Sequence, residues 1–306
     1  MVALTVPAAT DAGTVLAQWR WDPVTVAGML AAASLYALGV ARVRRAGGRW
    51  PAAWSTWFGA GLATLAVALV SPVDAYADVS FSVHMGQHLL LTMLAPPLLA
   101  LGAPITLALR ASSPGTARAI TSALKSHAVS FLGRPVVGWL LFVTVPVAVH
   151  YSPLFDLAIR SRPWHAFEHA SWVSVALVYW WPIVGRDPSP HPVRYPVRLL
   201  SMFLAMPATS FRALALYMAS SPIYPAYASL AAPWGLSALG DQRNAAVLMW
   251  LVGNLGMMVA MLLVAAAWKR DDDARQRRLA PRAGRCLIPG SSPPTVQWVP
   301  ASDAGR

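Results

Sequence analysis

Charge is what this sequence has least of. Only 12% of its 306 residues are Asp, Glu, Lys or Arg, while 57% are hydrophobic and the mean hydropathy is +0.50. A soluble globular domain carries about 25% charged residues. A chain of this length has too little charge to cover a surface in water, so lipid must solvate it. Cysteine is almost missing as well. The single Cys286 excludes a disulfide framework and any Cys-x-x-Cys metal or redox motif. Strict polar–apolar alternation is absent, and in lipid only helices or closed barrels satisfy their backbone, so the spans are read as helices. No internal repeat is found, which argues against a transporter built from inverted halves. Residues 1–22 lack a basic stretch followed by a compact apolar core, so no cleaved signal peptide is expected and the first span is expected to act as its own anchor.

What is present is a succession of apolar runs, each close to the roughly 20 residues that a span needs. They cover 24–41, 54–71, 84–109, 136–151, 165–184, 196–218 and 242–268. The expected fold is therefore an all-α membrane protein, a bundle of about seven transmembrane helices over 24–268. Residues 1–23 form an N-terminal segment, and 269–306 a basic tail whose mixed Arg, Asp, Pro, Gly and Ser composition reads as disordered. The 14 tryptophans suit membrane–water boundaries.

The net charge of +12 invites a nucleic-acid reading, but the arginines sit in short segments between apolar runs. That is the pattern of topology signals. Arg42, Arg44, Arg45 and Arg49 follow the first span, and Arg110, Arg118, Lys125 and Arg134 the third. Arg186 and Arg194 follow the fifth, and seven basic residues from Lys269 to Arg285 the last. The other side is poorer, with Arg20, Arg160 and Arg162. The N-terminus is therefore expected outside and the C-terminus in the cytoplasm, in the plasma membrane of a bacterium, with no nucleic-acid partner. Cys286 then faces a reducing compartment.

On this topology five of the seven histidines fall into one layer near the outer surface. His84 and His88 open the third span, His150 closes the fourth, and His165 and His169 open the fifth. Both pairs have i, i+4 spacing and so share a helical face. Neutral imidazole is among the commonest metal ligands, and ionisable groups at membrane depth are functional candidates. A lone pair of histidines at a helix end is more often mere interface chemistry; two pairs and His150 on one side are not. Glu168 sits inside the second pair, and Asp74, Asp78, Asp241 and Gln242 lie in the same layer. Asp241 is equally readable as a helix cap. Arg212, about 9 Å below the end of its span, is expected to pair with a carboxylate such as Glu168 or Asp241, or to snorkel outward. Thioethers beside imidazoles suit copper, especially Cu(I), which brings Met85 and Met249 into consideration. The candidate metal set is His84, His88, His165, His169, His150, Glu168, Asp241 and Met85. Pro96-Pro97 breaks the third span and frees the carbonyls of Thr92 and Met93.

His84-Met-Gly-Gln-His88-Leu-Leu-Leu, Ala95-Pro-Pro-Leu and Leu101-Gly-Ala-Pro104 together resemble the many-span CtaG family of cytochrome c oxidase assembly factors. His165-x-x-Glu168-His169 running into Trp180-Trp181-Pro182, and Asp241-Gln242 before Met249-Trp250, strengthen the likeness, which covers most of 20–268. It implies a seven-span assembly factor for haem–copper oxidases. The cargo would be copper, captured from the outer side and passed to oxidase subunits, with a copper donor protein as a further partner. It also implies that the chain is not an enzyme.

Two other readings remain open at this level. His-x-x-Glu-His is the inverted zinc-protease motif with Glu as general base, and Ser80-x-x-x-His84 is similar to seven-span zinc amidohydrolases, which makes zinc the alternative metal. Two histidines from different spans could also ligate haem.

Overall fold

The computed structural model describes residues 12–228 and 235–283, and among these there are helices and turns but no strand. The chain divides into two units, Met1–Val264 and Ala265–Arg306. In the first unit, Asp22 opens helix α1 (Pro23–Arg45) by accepting the Thr25 N–H at 2.7 Å, with Pro23 in the first turn, where its missing N–H costs nothing. Helix α2 (Ala52–Leu69) follows, then a short turn, Pro72–Ala77, capped by Ser71. The segmented helix α3 (Phe81–Ala111) comes next. Helix α4 (Pro135–His150) bends by 75° into Pro153–Ile159. Helices α5 (Arg162–Val184), α6 (Tyr195–Met218) and α7 (Ala238–Ala283) complete the fold.

Among the described residues, five helices are long and apolar enough to cross a membrane: α1, α2, α3, α6 and α7. The α4 pair makes a sixth if it counts as one broken span. The expected fifth span, 165–184, is a helix of 23 residues but falls short on apolarity. Its first turns carry Arg162, His165, Glu168 and His169, and its last carry Tyr179, Trp180, Trp181 and Pro182. The polar residues that make it interesting are the ones that dilute it. The exterior is nonetheless apolar, with Leu35 and Phe211 each 71% exposed, which a water-soluble surface does not sustain. This is a membrane protein.

Small residues set the closest helix approach. A Cβ on Gly61 of α2 would stand 2.7 Å from Leu99 Cγ, and one on Gly102 of α3 would stand 2.6 Å from Phe58 Cβ. Close backbone approach of this kind is how helices pack in lipid. The Pro96-Pro97 break is absorbed by a π-helical turn, Leu90–Leu94. The Thr92 carbonyl that it frees accepts the Trp180 indole N–H at 2.8 Å. At the far end of α3, Ala103 adopts φ 51°, and Asp187 caps the last segment through Ile105 and Thr106. One core cluster joins Phe142, Tyr179, Trp180, Met202 and Met257. A second joins Phe81, Met85, Phe155, Leu216, Tyr224 and Met249.

The tail expected to lack structure from 269 is helical as far as Ala283. Acidic Asp271–Asp273 precede basic Arg275, Arg277 and Arg278, a spacing that supports a helix, and Gln276 bonds Asp272 one turn back. Cys286 and the rest of the tail lie outside the described residues, as do residues 1–11.

Candidate metal centre

The first turn of α3 is fixed from across the bundle. Asp241 of α7 accepts the Phe81 N–H at 2.6 Å and the Ser82 N–H at 3.3 Å, and both of its oxygens accept the Ser80 hydroxyl at 3.2 Å. Asp241 thus caps a helix, though not its own, and its carboxylate is fully engaged there rather than turned toward the histidines. Next to it, Gln242 bridges the Ile223 N–H and the Leu216 carbonyl. With α3 held in this way, His84 and His88 are buried on one face, 1% and 6% exposed.

Helices α4 and α5 bring the remaining groups. The ring centroids of His84 and His88 are 4.2 Å apart, and those of His165 and His169 are 4.1 Å apart. The pairs face each other: His84 stacks on His165 at 5.6 Å, and His88 stands 6.2 Å from His169. His150 approaches His88 at 5.6 Å. Glu168 Oε1 lies 3.8 Å from His88 Nε2. One potential ligand atom each from His84, His88 and Glu168 fall within 4.8 Å of one another, close enough to share an ion.

His84 Nε2, both nitrogens of His88, the Nε2 atoms of His150, His165 and His169, and both Glu168 oxygens are buried without a hydrogen-bond partner. Buried polar atoms are rarely left so. An imidazole–carboxylate set of this kind fits a transition-metal cation. Supporting contacts orient the rings. The Pro146 carbonyl accepts the His150 Nδ1–H at 2.9 Å, which leaves Nε2 with a free lone pair. Asp78 lies 3.9 Å from His165 Nδ1 and also pairs with Arg20, which reaches Asp74 at 3.8 Å. Gln87 donates to Asp74 at 3.0 Å and to the Ala68 carbonyl at 2.8 Å.

Of the candidate set, the geometry gathers His84, His88, His150, His165, His169 and Glu168. Asp241 serves α3 instead. Met85 is buried beside the cluster among apolar side chains and faces a neighbouring cavity with Met249. Arg212 forms no ion pair with Glu168 or Asp241; Glu168 lies against His88, and Asp241 is taken up by the first turn of α3. His191, left out by its loop position, bonds the Ser130 carbonyl at 3.0 Å. Sequence reasoning gave no role to Trp172, whose ring lies 4.7 Å from His88, or to Phe155, packed on His84 at 5.3 Å and on His150 at 4.9 Å. Trp172 stands one turn after Glu168 and could have been found by that spacing. Phe155 follows a bend, and no local pattern marks it.

Residues 34–271 match the family of the cytochrome c oxidase caa3 assembly factor, Caa3_CtaG. The chain belongs to that family. Every member of the histidine cluster lies within the matched Caa3_CtaG region. Relatives include proteins of Mycobacterium bovis and Mycobacterium tuberculosis described as uncharacterized, each 35% identical over 283 residues, or 89% of this chain and 42% of the relative. A Mycobacterium leprae protein, also described as uncharacterized, is 35% identical over 266 residues, 83% of this chain and 40% of its own length. The chain thus spans less than half the length of these curated relatives. No solved structure matches it.

Proposed function

We propose that this Caa3_CtaG chain is a seven-span factor of the bacterial plasma membrane that holds copper at an outer-face histidine cluster and hands it to an assembling haem–copper oxidase. The observation that carries the reading is the convergence of five imidazoles and Glu168 with their ligand atoms unpartnered. Family membership supports the oxidase as the client, and the arginine count supports an N-out topology with α5 as a span.

Copper is the cargo, and the residues divide its handling. His84, His88 and Glu168 offer the tightest ligand group. His165 and His169 stand within reach to replace a ligand, so the ion can move by exchange instead of full release. Asp78 and the Pro146 carbonyl keep two rings aimed. Phe155 and Trp172 shield the rings from bulk water. A surplus of ligands over any one coordination sphere suits a delivery site better than a closed four-ligand cage.

The zinc-hydrolase reading draws less support. Ser80 is committed to Asp241, and Glu168 stands among the ligands of the other pair, where it is a ligand candidate more readily than a general base.

Metal analysis of the purified chain tests the proposal. About one copper per chain is expected for the wild type, with loss of most of it when His84, His88, His165 and His169 are all changed to Ala. Asp241→Asn is expected to keep the metal. Undiminished copper in the fourfold variant would overturn the reading, and stoichiometric zinc with no copper would favour the hydrolase.

A further inference from the structure

Away from the histidines, the end of α1, the start of α2 and the end of α3 line an open groove of about 620 Å³. Small-molecule sites run from roughly 300 to 1,000 Å³. Arg44, Arg49 and Arg110 line it beside Trp50 and Trp54, and no carboxylate does. The wall is a built one. Gly47 turns the chain between Arg44 and Arg49 at φ 76°, a region that other residues rarely enter. A Cβ on Gly48 would stand 3.0 Å from the Val43 carbonyl oxygen and 3.4 Å from Arg110 Nη2, so the turn is packed against both. Trp50 is 5% exposed and donates its indole N–H to the Tyr36 hydroxyl at 3.2 Å, which in turn donates to the Gly102 carbonyl at 2.8 Å. The Arg110 guanidinium lies 5.5 Å from the centre of the Trp50 ring and gives one N–H to the Arg49 carbonyl at 3.0 Å. A guanidinium carries more donors than that one bond uses.

Cations gathered on one wall repel one another unless an anion joins them. Asp187 is the carboxylate packed at the start of the last segment of α3. Its oxygens accept the Ile105 N–H at 3.1 Å and the Thr106 N–H and hydroxyl at 2.7 Å each. Among the described residues, Arg44, Arg49 and Arg110 form no ion pair with it or with any other carboxylate. A concave set of guanidiniums without an acid complements a phosphate, whose oxygens accept paired bonds from arginine. The position of the groove names the carrier. Helices α1, α2 and α3 are all of membrane length, and the groove lies at their ends, where headgroups begin. Indole rings favour that boundary, and basic pockets between spanning helices take anionic headgroups. Half-buried Trp54 adds an apolar edge with a polar tip, which suits glycerol and the first chain carbons better than free phosphate.

We infer that this groove seats the phosphodiester headgroup of one anionic phospholipid, with its phosphate on Arg44, Arg49 and Arg110 and its glycerol against Trp54. Such a lipid ties the ends of three helices together. The site stands without copper and in either leaflet, so it does not rest on the proposed function.

Titration of the full chain in non-ionic detergent with radiolabelled phosphatidylglycerol, followed by separation from empty micelles, tests this. About one tightly held lipid per chain is expected. Much less phosphatidylcholine should be held, since its headgroup carries a balancing positive charge. Arg44→Gln/Arg49→Gln should weaken phosphatidylglycerol binding by about tenfold or more, as for loss of charge-assisted bonds. Arg42→Gln/Arg45→Gln removes the same charge from the same end of α1 but outside the groove. It should change the affinity by less than about twofold, as for screened surface charge. If the first double variant does not fold, Arg110→Gln decides, with the same tenfold loss expected as for one charge-assisted contact. Equal binding of the two lipids, equal loss in the two double variants, or inorganic phosphate held as tightly as phosphatidylglycerol overturns the inference. A failed copper measurement leaves this result untouched.

Discussion

Asp74 shows how a residue outside the spans reports on the site. Burial chiefly, with the neighbouring Asp78 adding to it, raises its carboxyl to about 6 from 3.8, against the opposing pull of Arg20 and Gln87. Between those values the folded protein keeps a proton that the unfolded chain has released, so stability falls as pH rises through this window and levels above it. Asp74→Asn removes that component. In detergent, the variant's melting temperature minus that of the wild type should grow from about pH 4 to about pH 6 and then flatten. A difference that stays constant with pH would mean that Asp74 keeps an ordinary pKa. At this scale the sequence was half legible. The i, i+4 spacing revealed both histidine pairs because helical periodicity acts within one element. It could not reveal that Glu168 would join the pair on α3, or that Asp241 would cap a helix other than its own. Those are choices among helices, made by packing.

At the level of elements, the α2–α3 contact depends on a missing side chain. Gly61→Ala places a methyl group 2.7 Å from Leu99 Cγ and 2.9 Å from the Leu99 backbone nitrogen, which cannot swing away. A loss of about 1–3 kcal/mol is expected for such overpacking, measured by denaturant titration in micelles. Gly59→Ala, with nothing within 4 Å, serves as the control and should be neutral or slightly stabilising. Equal effects at the two positions would remove the packing explanation. Pro96-Pro97 announced a break in α3 from the sequence, since proline must free carbonyls. The repair did not: Trp180 comes from 88 positions away to donate its indole N–H to the Thr92 carbonyl. Helix α5 was legible as a helix, but its polar first turns keep it below the apolarity of the five membrane-length helices.

For the whole molecule, the testable property is sidedness. Alkaline phosphatase fused after Asp78 should be active and the same reporter fused after Gly47 inactive, since only the exported side supports its folding and the proposed topology keeps the arginine-rich loops inside. The reverse pattern would turn the histidines toward the cytoplasm and end the idea of copper captured from outside. Composition made the membrane legible at once, because a chain with so few charges has no other solvent. The division into units was less so, since α7 continues as a helix past residue 264, where the first unit ends.

Asp241 also sets an order in time. It clamps Phe81 from 160 positions further along the chain. At about 5–20 residues per second of synthesis, His169, the last of the five clustered histidines, leaves the ribosome roughly 4 to 14 seconds before the carboxylate that fixes the first pair. A nascent chain holding every ligand therefore has no finished pocket. If the cluster holds copper as proposed, premature capture by a half-made protein is discouraged by the order of translation itself.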